Sequence, residues 1–177
     1  MAKFEKTGTI FDGCYEIREE ISDGRRVAFS AEIFNGLGLD SDFKESLCTT
    51  STKNVLRGMH FQTPPADHVK LVYCIDGEVM DVVVDLRKNS LTFGRHQKFL
   101  LSSENGRILY IPRGLAHGFL TLSDTATMIY NLTSVYSPEN DKGILWSSCG
   151  IDWGITAPIL SERDKKNPAL AEFDSPF

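Results

Sequence analysis

Hydrophobic and polar residues alternate along short stretches of this chain, with the two-residue period of β-strands. The clearest stretches are Lys70-Leu71-Val72-Tyr73-Cys74-Ile75 and Glu78-Val79-Met80-Asp81-Val82-Val83-Val84-Asp85, separated by Asp76-Gly77. Asp-Gly favours a two-residue primed turn, so the pattern predicts a hairpin with Ile75 opposite Glu78, Val72 opposite Asp81 and Lys70 opposite Val83. Alternation then puts Lys70, Val72, Cys74, Val79, Asp81 and Val83 on one face. Lys70 and Asp81 become diagonal neighbours, roughly 7–8 Å apart at the backbone. The other face, from Leu71, Tyr73 and Ile75 to Met80, Val82 and Val84, is wholly apolar and must also be covered. Two occupied faces predict a sandwich or barrel. Further strands are expected at 107–111, 118–122 and 127–133, with Pro112-Arg113-Gly114 as a turn between the first two. Helical periodicity is scarce. Ser161-Glu162-Arg163-Asp164 fits a capping box and predicts a short helix that stops near Pro168. The pattern as a whole predicts an all-β fold with a small helical tail, in one domain over residues 1–177.

Composition narrows the function classes. At 177 residues the chain is long enough to bury a core without staples, and 41% hydrophobic with 24% charged residues fits a folded globular protein. A net charge of −5 argues against a broad nucleic-acid footprint. The start, Met1-Ala2-Lys3-Phe4-Glu5-Lys6, lacks the apolar core of a signal peptide, and no apolar run reaches the length of a membrane span. Cys14, Cys48, Cys74 and Cys149 are widely spaced, with no C-x-x-C pair, and read as reduced packing thiols of a cytoplasmic protein.

Two segments carry candidate chemistry. In Arg57-Gly58-Met59-His60-Phe61-Gln62, followed by Lys70, an arginine can clamp phosphate, a histidine can move protons near neutral pH, and a lysine can hold developing negative charge. In Gly106-x5-Pro112-x-Gly114-x-x-His117-Gly118, the turn residues aim His117 toward a barrel mouth, as a substrate donor or as a buried, satisfied histidine. This spacing resembles half of the cupin metal signature, but the chain has no His-x-His, and the ligand count argues against a catalytic metal. Tyr130 is either a core tyrosine or a general acid. Asp164 either serves the capping box or orients an imidazole. No phosphate loop, G-x-S-x-G elbow or nucleotide-binding βαβ unit is present.

Taken together, these segments resemble the dTDP-4-dehydrorhamnose 3,5-epimerase family, the nucleotide-sugar 3,5-epimerases of the cupin superfamily. The likeness runs through 54–62, Lys70-Leu71-Val72, 77–94, 101–105, 111–119, Tyr130 to Pro138, Gly143 to Trp146 and 160–164. It implies a jelly-roll homodimer that needs no metal or other cofactor and acts on a nucleotide-diphosphate sugar. His60 matches the family's base, Asp164 its paired carboxylate, Lys70 the lysine near the keto oxygen and Tyr130 the tyrosine on the opposite sugar face. Arg57, Gln62 and His117 match substrate-contacting positions, as does Tyr136 near the nucleotide. Asp81, diagonal to Lys70, joins that set.

The resemblance thins toward the N-terminus, where only Arg25 is retained from an Asp-x-Arg-Gly pattern. Glu45 and Leu47 stand where thymidine enzymes commonly show Gln and Asn. A carboxylate can accept from the amino group of cytosine or guanine, so these two residues predict that a dTDP-linked substrate is not the best one. The leading expectation is an epimerase acting at C3, C5 or both carbons of a nucleotide-linked 4-keto sugar. The alternatives are a 3,4-ketoisomerase and a non-catalytic sugar-nucleotide binding module.

Overall fold

The computed structural model describes residues 4–19 and 26–177. Its strands are β1 (Phe4–Gly8), β2 (Tyr15–Glu19), β3 (Glu45–Thr52), β4 (Leu56–Gln62), β5 (Lys70–Asp76), β6 (Glu78–Asp85), β7 (His96–Ser102), β8 (Arg107–Ile111), β9 (Leu115–Thr121), β10 (Thr125–Leu132) and β11 (Asp141–Gly143). They form a six-stranded sheet in the order β1-β2-β8-β5-β10-β3 and a five-stranded sheet in the order β11-β4-β9-β6-β7. All pairings within both sheets are antiparallel. The two sheets pack face to face as a cupin-type jelly roll, so the all-β expectation holds.

The hairpin expected at Asp76-Gly77 does not form. β5 is bonded on both edges by β8 and β10, and β6 on both edges by β7 and β9. Each strand thus gains two ladders instead of sharing one, and Asp76-Gly77 carries the chain between sheets. Gly77 has φ +73°, and a Cβ there would lie 2.0 Å from the Thr125 carbonyl oxygen. The alternation was nevertheless informative. Val72, Cys74, Val79 and Val83 all point into the space between the sheets, where Phe99, Leu109, Phe119 and Met128 join them.

The two outer apolar faces are covered by different parts of the chain. Leu71 and Tyr73 lie beneath Phe34, Phe29 and Phe43, around a six-residue helix, α1 (Ala31–Gly36), that the sequence pattern did not reveal. Val82 and Val84 lie beneath the C-terminal segment, including Trp153, Phe173 and Phe177. Ile75 remains half exposed near the sheet-to-sheet crossing. The predicted C-terminal helix is only a 3-10 turn, Asp164–Lys166, because one half of the capping box is missing. Ser161 Oγ does accept from the Asp164 N–H at 3.0 Å, but the Asp164 carboxylate is used elsewhere. Of the remaining predictions, β8 lies as expected, β10 starts at Thr125, and β9 begins at Leu115, ahead of the predicted 118.

One contact between strands explains two motif glycines. β4 and β9 meet so closely that a Cβ on Gly58 (φ +132°) would lie 2.6 Å from Gly118 Cα. A Cβ on Gly118 would lie 2.7 Å from the Arg57 carbonyl oxygen. The β4–β9 register shifts between Arg57 and His60, after which His60 pairs with His117. Gly118→Ala should therefore destabilise the protein by about 1–3 kcal/mol, the range for forcing an extra carbon into a packed interior. Urea unfolding checks this, and an unchanged midpoint would show that the backbones can part freely.

Candidate active site

A cavity of about 400 Å³ opens between the sheets, with His60, Lys70, His117 and Tyr130 among its walls. His60 comes from β4 and His117 from β9 in the five-stranded sheet, while Lys70 and Tyr130 come from β5 and β10 in the six-stranded sheet. Strand alternation turns Lys70, His117 and Tyr130 inward, the register shift on β4 lets His60 face the cavity as Arg57 does, and packing the sheets brings the two sets together.

His60 Nε2 lies 2.5 Å from Asp164 Oδ1. Asp164 is buried, and the Gly58 N–H also points at its other oxygen, at a longer 3.5 Å. Burial alone would raise this carboxyl, but the hydrogen bond and charge of His60, with Ser161 and the Gly58 amide, hold it below the ordinary carboxylate range. With the carboxylate accepting the Nε2 proton, Nδ1 keeps its lone pair and can take a proton.

Lys70 is almost fully buried, and its Nζ donates to the His60 carbonyl at 3.0 Å, tying one sheet to the other. Burial drives its pKa from 10.5 down to about 8, with Asp141 and Asp81 pulling the other way. Tyr130 hydroxyl and Thr49 Oγ1 are 3.3 Å apart, and burial pushes the phenol well above its ordinary value. His117 is buried, with Nε2 2.7 Å from Asp81 Oδ2 and its ring edge-on to Tyr130, the centroids 6.0 Å apart. Burial raises the Asp81 carboxyl even against the nearby imidazole.

The sequence-predicted residues divide into three groups. His60, Lys70, Tyr130, His117, Arg57, Gln62, Glu45 and Tyr136 line the cavity. Gln62 is a wall residue whose amide is taken up by the protein, however. Its Nε2 lies within 2.8–3.3 Å of Ala66 O, His68 Nδ1, Ser134 Oγ and Val135 O, and its Oε1 accepts from the Ser137 N–H. Asp164 and Asp81 stand behind the lining, each supporting a histidine, so Asp81 is not a wall residue. Arg25 lies outside the described residues.

Sequence reasoning missed Arg163 and Asp141, which line the mouth as an ion pair with Nη1 and Oδ2 2.7 Å apart. Arg163 was legible as the neighbour of Asp164, but Asp141 enters the site only through the pairing of β11 with β4. His68 was also missed. It lines the wall as a neutral imidazole, because burial lowers it to about 3, with Lys70 and Arg113 adding to the effect. Glu45 does not present an uncommitted carboxylate to a nucleobase, since its Oε2 accepts from the Tyr136 N–H at 2.7 Å.

A jelly roll that brings a histidine–carboxylate pair, a buried lysine and a tyrosine to one cavity has the parts of an acid–base enzyme. Comparison with known proteins makes the class specific. The sequence profile of dTDP-4-dehydrorhamnose 3,5-epimerase matches residues 8–172. The chain is 41% identical to the enzyme of that name from Methanothermobacter thermautotrophicus, over 97% of both chains. It is 47% identical to the one from Escherichia coli, over 77% of this chain and 75% of that one. Among solved structures, a Legionella pneumophila dTDP-6-deoxy-D-glucose-3,5-epimerase in complex with dTDP-4-keto-L-rhamnose superposes with a TM-score of 0.91 at 35% identity, covering 97% of this chain and 95% of that one. The chain belongs to the dTDP-4-dehydrorhamnose 3,5-epimerase family, and it is an epimerase.

The buried lysine has a consequence for stability. Between about pH 8 and 10.5 the unfolded chain binds the Lys70 proton more tightly than the native one does. The stability this group contributes is complete above 10.5 and is lost as pH falls through about 8. Lys70→Met should thus be more stable than wild type near pH 7. The gain is a few kcal/mol at most, less about 1 kcal/mol for the lost hydrogen bond. The advantage should shrink as pH approaches 10. Urea unfolding of both proteins at the two pH values decides the point, and a variant less stable at both would contradict it.

Proposed function

We propose that this epimerase inverts both C3 and C5 of a dTDP-linked 4-keto-6-deoxy sugar, using one jelly-roll domain that spans the chain. The observation that carries the reading is the placement of a carboxylate-supported imidazole and a protonated phenol on opposing sheets around one cavity, with a buried ammonium in the same lining. His60 Nδ1 takes the proton from the carbon next to the ketone, and the C–H electron pair moves onto the ketone oxygen. Lys70, as the ammonium, hydrogen-bonds the resulting enolate. Tyr130, whose burial keeps its hydroxyl protonated, returns a proton to the other face of the carbon. The carbon inverts because donor and acceptor come from different walls. Arg57 and Arg163 line the same cavity and supply positive charge for the diphosphate. His117, set by Asp81, packs against Tyr130 and contacts the sugar.

A dTDP-linked substrate is proposed in place of the expectation, drawn from Glu45 and Leu47, that dTDP is not the best nucleotide, because the Glu45 carboxylate already accepts from the Tyr136 amide. Relatives named for dTDP-4-dehydrorhamnose at 41–47% identity support the same reading. We also propose a cytoplasmic homodimer. Its four cysteines are free, as suits a reducing compartment. The edge strand β3, bonded only to β10 among the described residues, leaves an open ladder edge against which a second copy can pack.

The reaction is tested by mixing the protein with dTDP-4-keto-6-deoxyglucose in D2O and reading deuterium and configuration at C3 and C5. Wild type should label and invert both carbons. His60→Asn should lose about 10²–10⁴-fold of the exchange while remaining folded. Asp164→Asn should lose only about ten- to a hundredfold, as expected for one charged hydrogen bond of about 1.5–3 kcal/mol. Wild-type exchange in a folded His60→Asn variant would overturn the assignment of the base. A ketone that moved to C3 would instead identify a ketoisomerase, and tight binding without exchange a binding module.

A further inference from the structure

The cavity has a buried inner end and an exposed mouth. Lys70 and His117 at the inner end are 8% and 4% exposed, whereas Tyr136 and Leu47 at the mouth are 57% and 38% exposed. The phenol ring and the aliphatic side chain at the cavity mouth present apolar surface suited to a flat heteroaromatic ring. The Tyr136 ring lies on a loop outside regular strands, between the end of β10 at Leu132 and the start of β11 at Asp141. Its position therefore depends on how the loop backbone is held.

Three polar links hold that backbone in consecutive residues. Gln62 Nε2 donates to the Val135 carbonyl at 3.3 Å, and the Ser137 N–H donates to Gln62 Oε1 at 2.7 Å. Between them, the Tyr136 N–H donates to Glu45 Oε2 at 2.7 Å. Gln62 belongs to the five-stranded sheet and Glu45 to the six-stranded one, so the loop is pinned to both walls of the cavity. Glu45 is the first residue of β3 and pairs across the ladder with Leu132, the last residue of β10 before the loop. Its backbone is thus fixed at the point where the loop departs, and a carboxylate acceptor makes the link charge-assisted.

We propose that Glu45 is a positioning residue that acts through Tyr136: it latches the Tyr136 amide and so sets the grip of the cavity mouth on the nucleobase of the substrate. The proposal rests on the reading that a nucleoside-diphosphate sugar fills the cavity. The latch orients the binding of the nucleotide half and leaves proton transfer at the sugar to the inner residues. Glutamine can still accept from the amide through its carbonyl oxygen, whereas alanine cannot, so the two substitutions separate acceptance from charge.

The test compares wild type, Glu45→Gln, Glu45→Ala, Tyr136→Ala and the Glu45→Ala/Tyr136→Ala double variant. It measures KM and kcat for dTDP-4-keto-6-deoxyglucose, inhibition by dTDP, and hydrogen exchange at the Tyr136 amide. Glu45→Ala should raise KM and the dTDP inhibition constant about tenfold, with the loss falling on KM rather than kcat. Glu45→Gln should restore both to within about twofold of wild type. The double variant should be no worse than Tyr136→Ala, and the Tyr136 amide should be protected in wild type and Glu45→Gln but not in Glu45→Ala. An unprotected wild-type amide, an unchanged KM in Glu45→Ala, additive losses in the double variant, or Glu45→Gln as impaired as Glu45→Ala would each overturn the latch. If Tyr136→Ala binds dTDP like wild type, the role given to the ring fails. Deuterium wash-in by wild type then shows separately whether the epimerase reading survives.

Discussion

The close passage of β4 against β9 at Gly58 and Gly118 is the contact on which the site hangs. It lets the two backbones approach at a distance that no side chain would allow, and it shifts the register so that His60 and His117 become cross-strand partners. Everything on that wall follows from this placement. Asp164 reaches His60 from the 3-10 turn, β11 pairs beside His60 and delivers Asp141, and the His60 carbonyl receives Lys70 from the opposite sheet. A wider separation of the strands would move His60, its carboxylate partner and the Lys70 anchor together.

The same geometry explains why the interior tolerates charge. Lys70 and Asp81 are nearly or fully buried, a placement that costs stability unless each group has partners. Lys70 has the His60 carbonyl and Asp81 has His117, and the two charges attract across the cavity. The alternating apolar strands around them supply the burial that offsets this cost. In the proposed reaction, the resulting low dielectric would let one ammonium stabilise an enolate strongly. Stability is spent where the proposed reaction needs an electrophile.

The parts of this arrangement that were legible in the sequence were those with local signals. Strand alternation revealed which residues share the interior, and the Arg57–Gln62 segment, Lys70, His117, Tyr130 and Asp164 marked the candidate chemistry. Partnering was harder to read. Asp76-Gly77 has the composition of a hairpin turn, yet the ladders available to β5 and β6 in separate sheets outweigh that local preference. Asp81 was placed near Lys70 for the wrong reason, since they meet across the sheets rather than along a hairpin. Helix α1 has only six residues, too short for a periodic pattern, and is held by Phe34 beneath Phe29. Glu45 shows the limit most clearly, because its residue type suggested a nucleobase partner, while its backbone position gives it to the Tyr136 amide.

The central claim is that proton removal and proton return come from opposite walls, His60 on one sheet and Tyr130 on the other. The most direct measurement is the configuration of the deuterium-labelled carbons formed by Tyr130→Phe in D2O. With His60 intact and the opposing acid removed, C3 and C5 should still acquire deuterium, returned from the His60 side, so that exchange proceeds with retained configuration and little inverted product. Inversion by Tyr130→Phe at the wild-type rate would contradict the account, because the second proton would then have to come from a group other than the phenol.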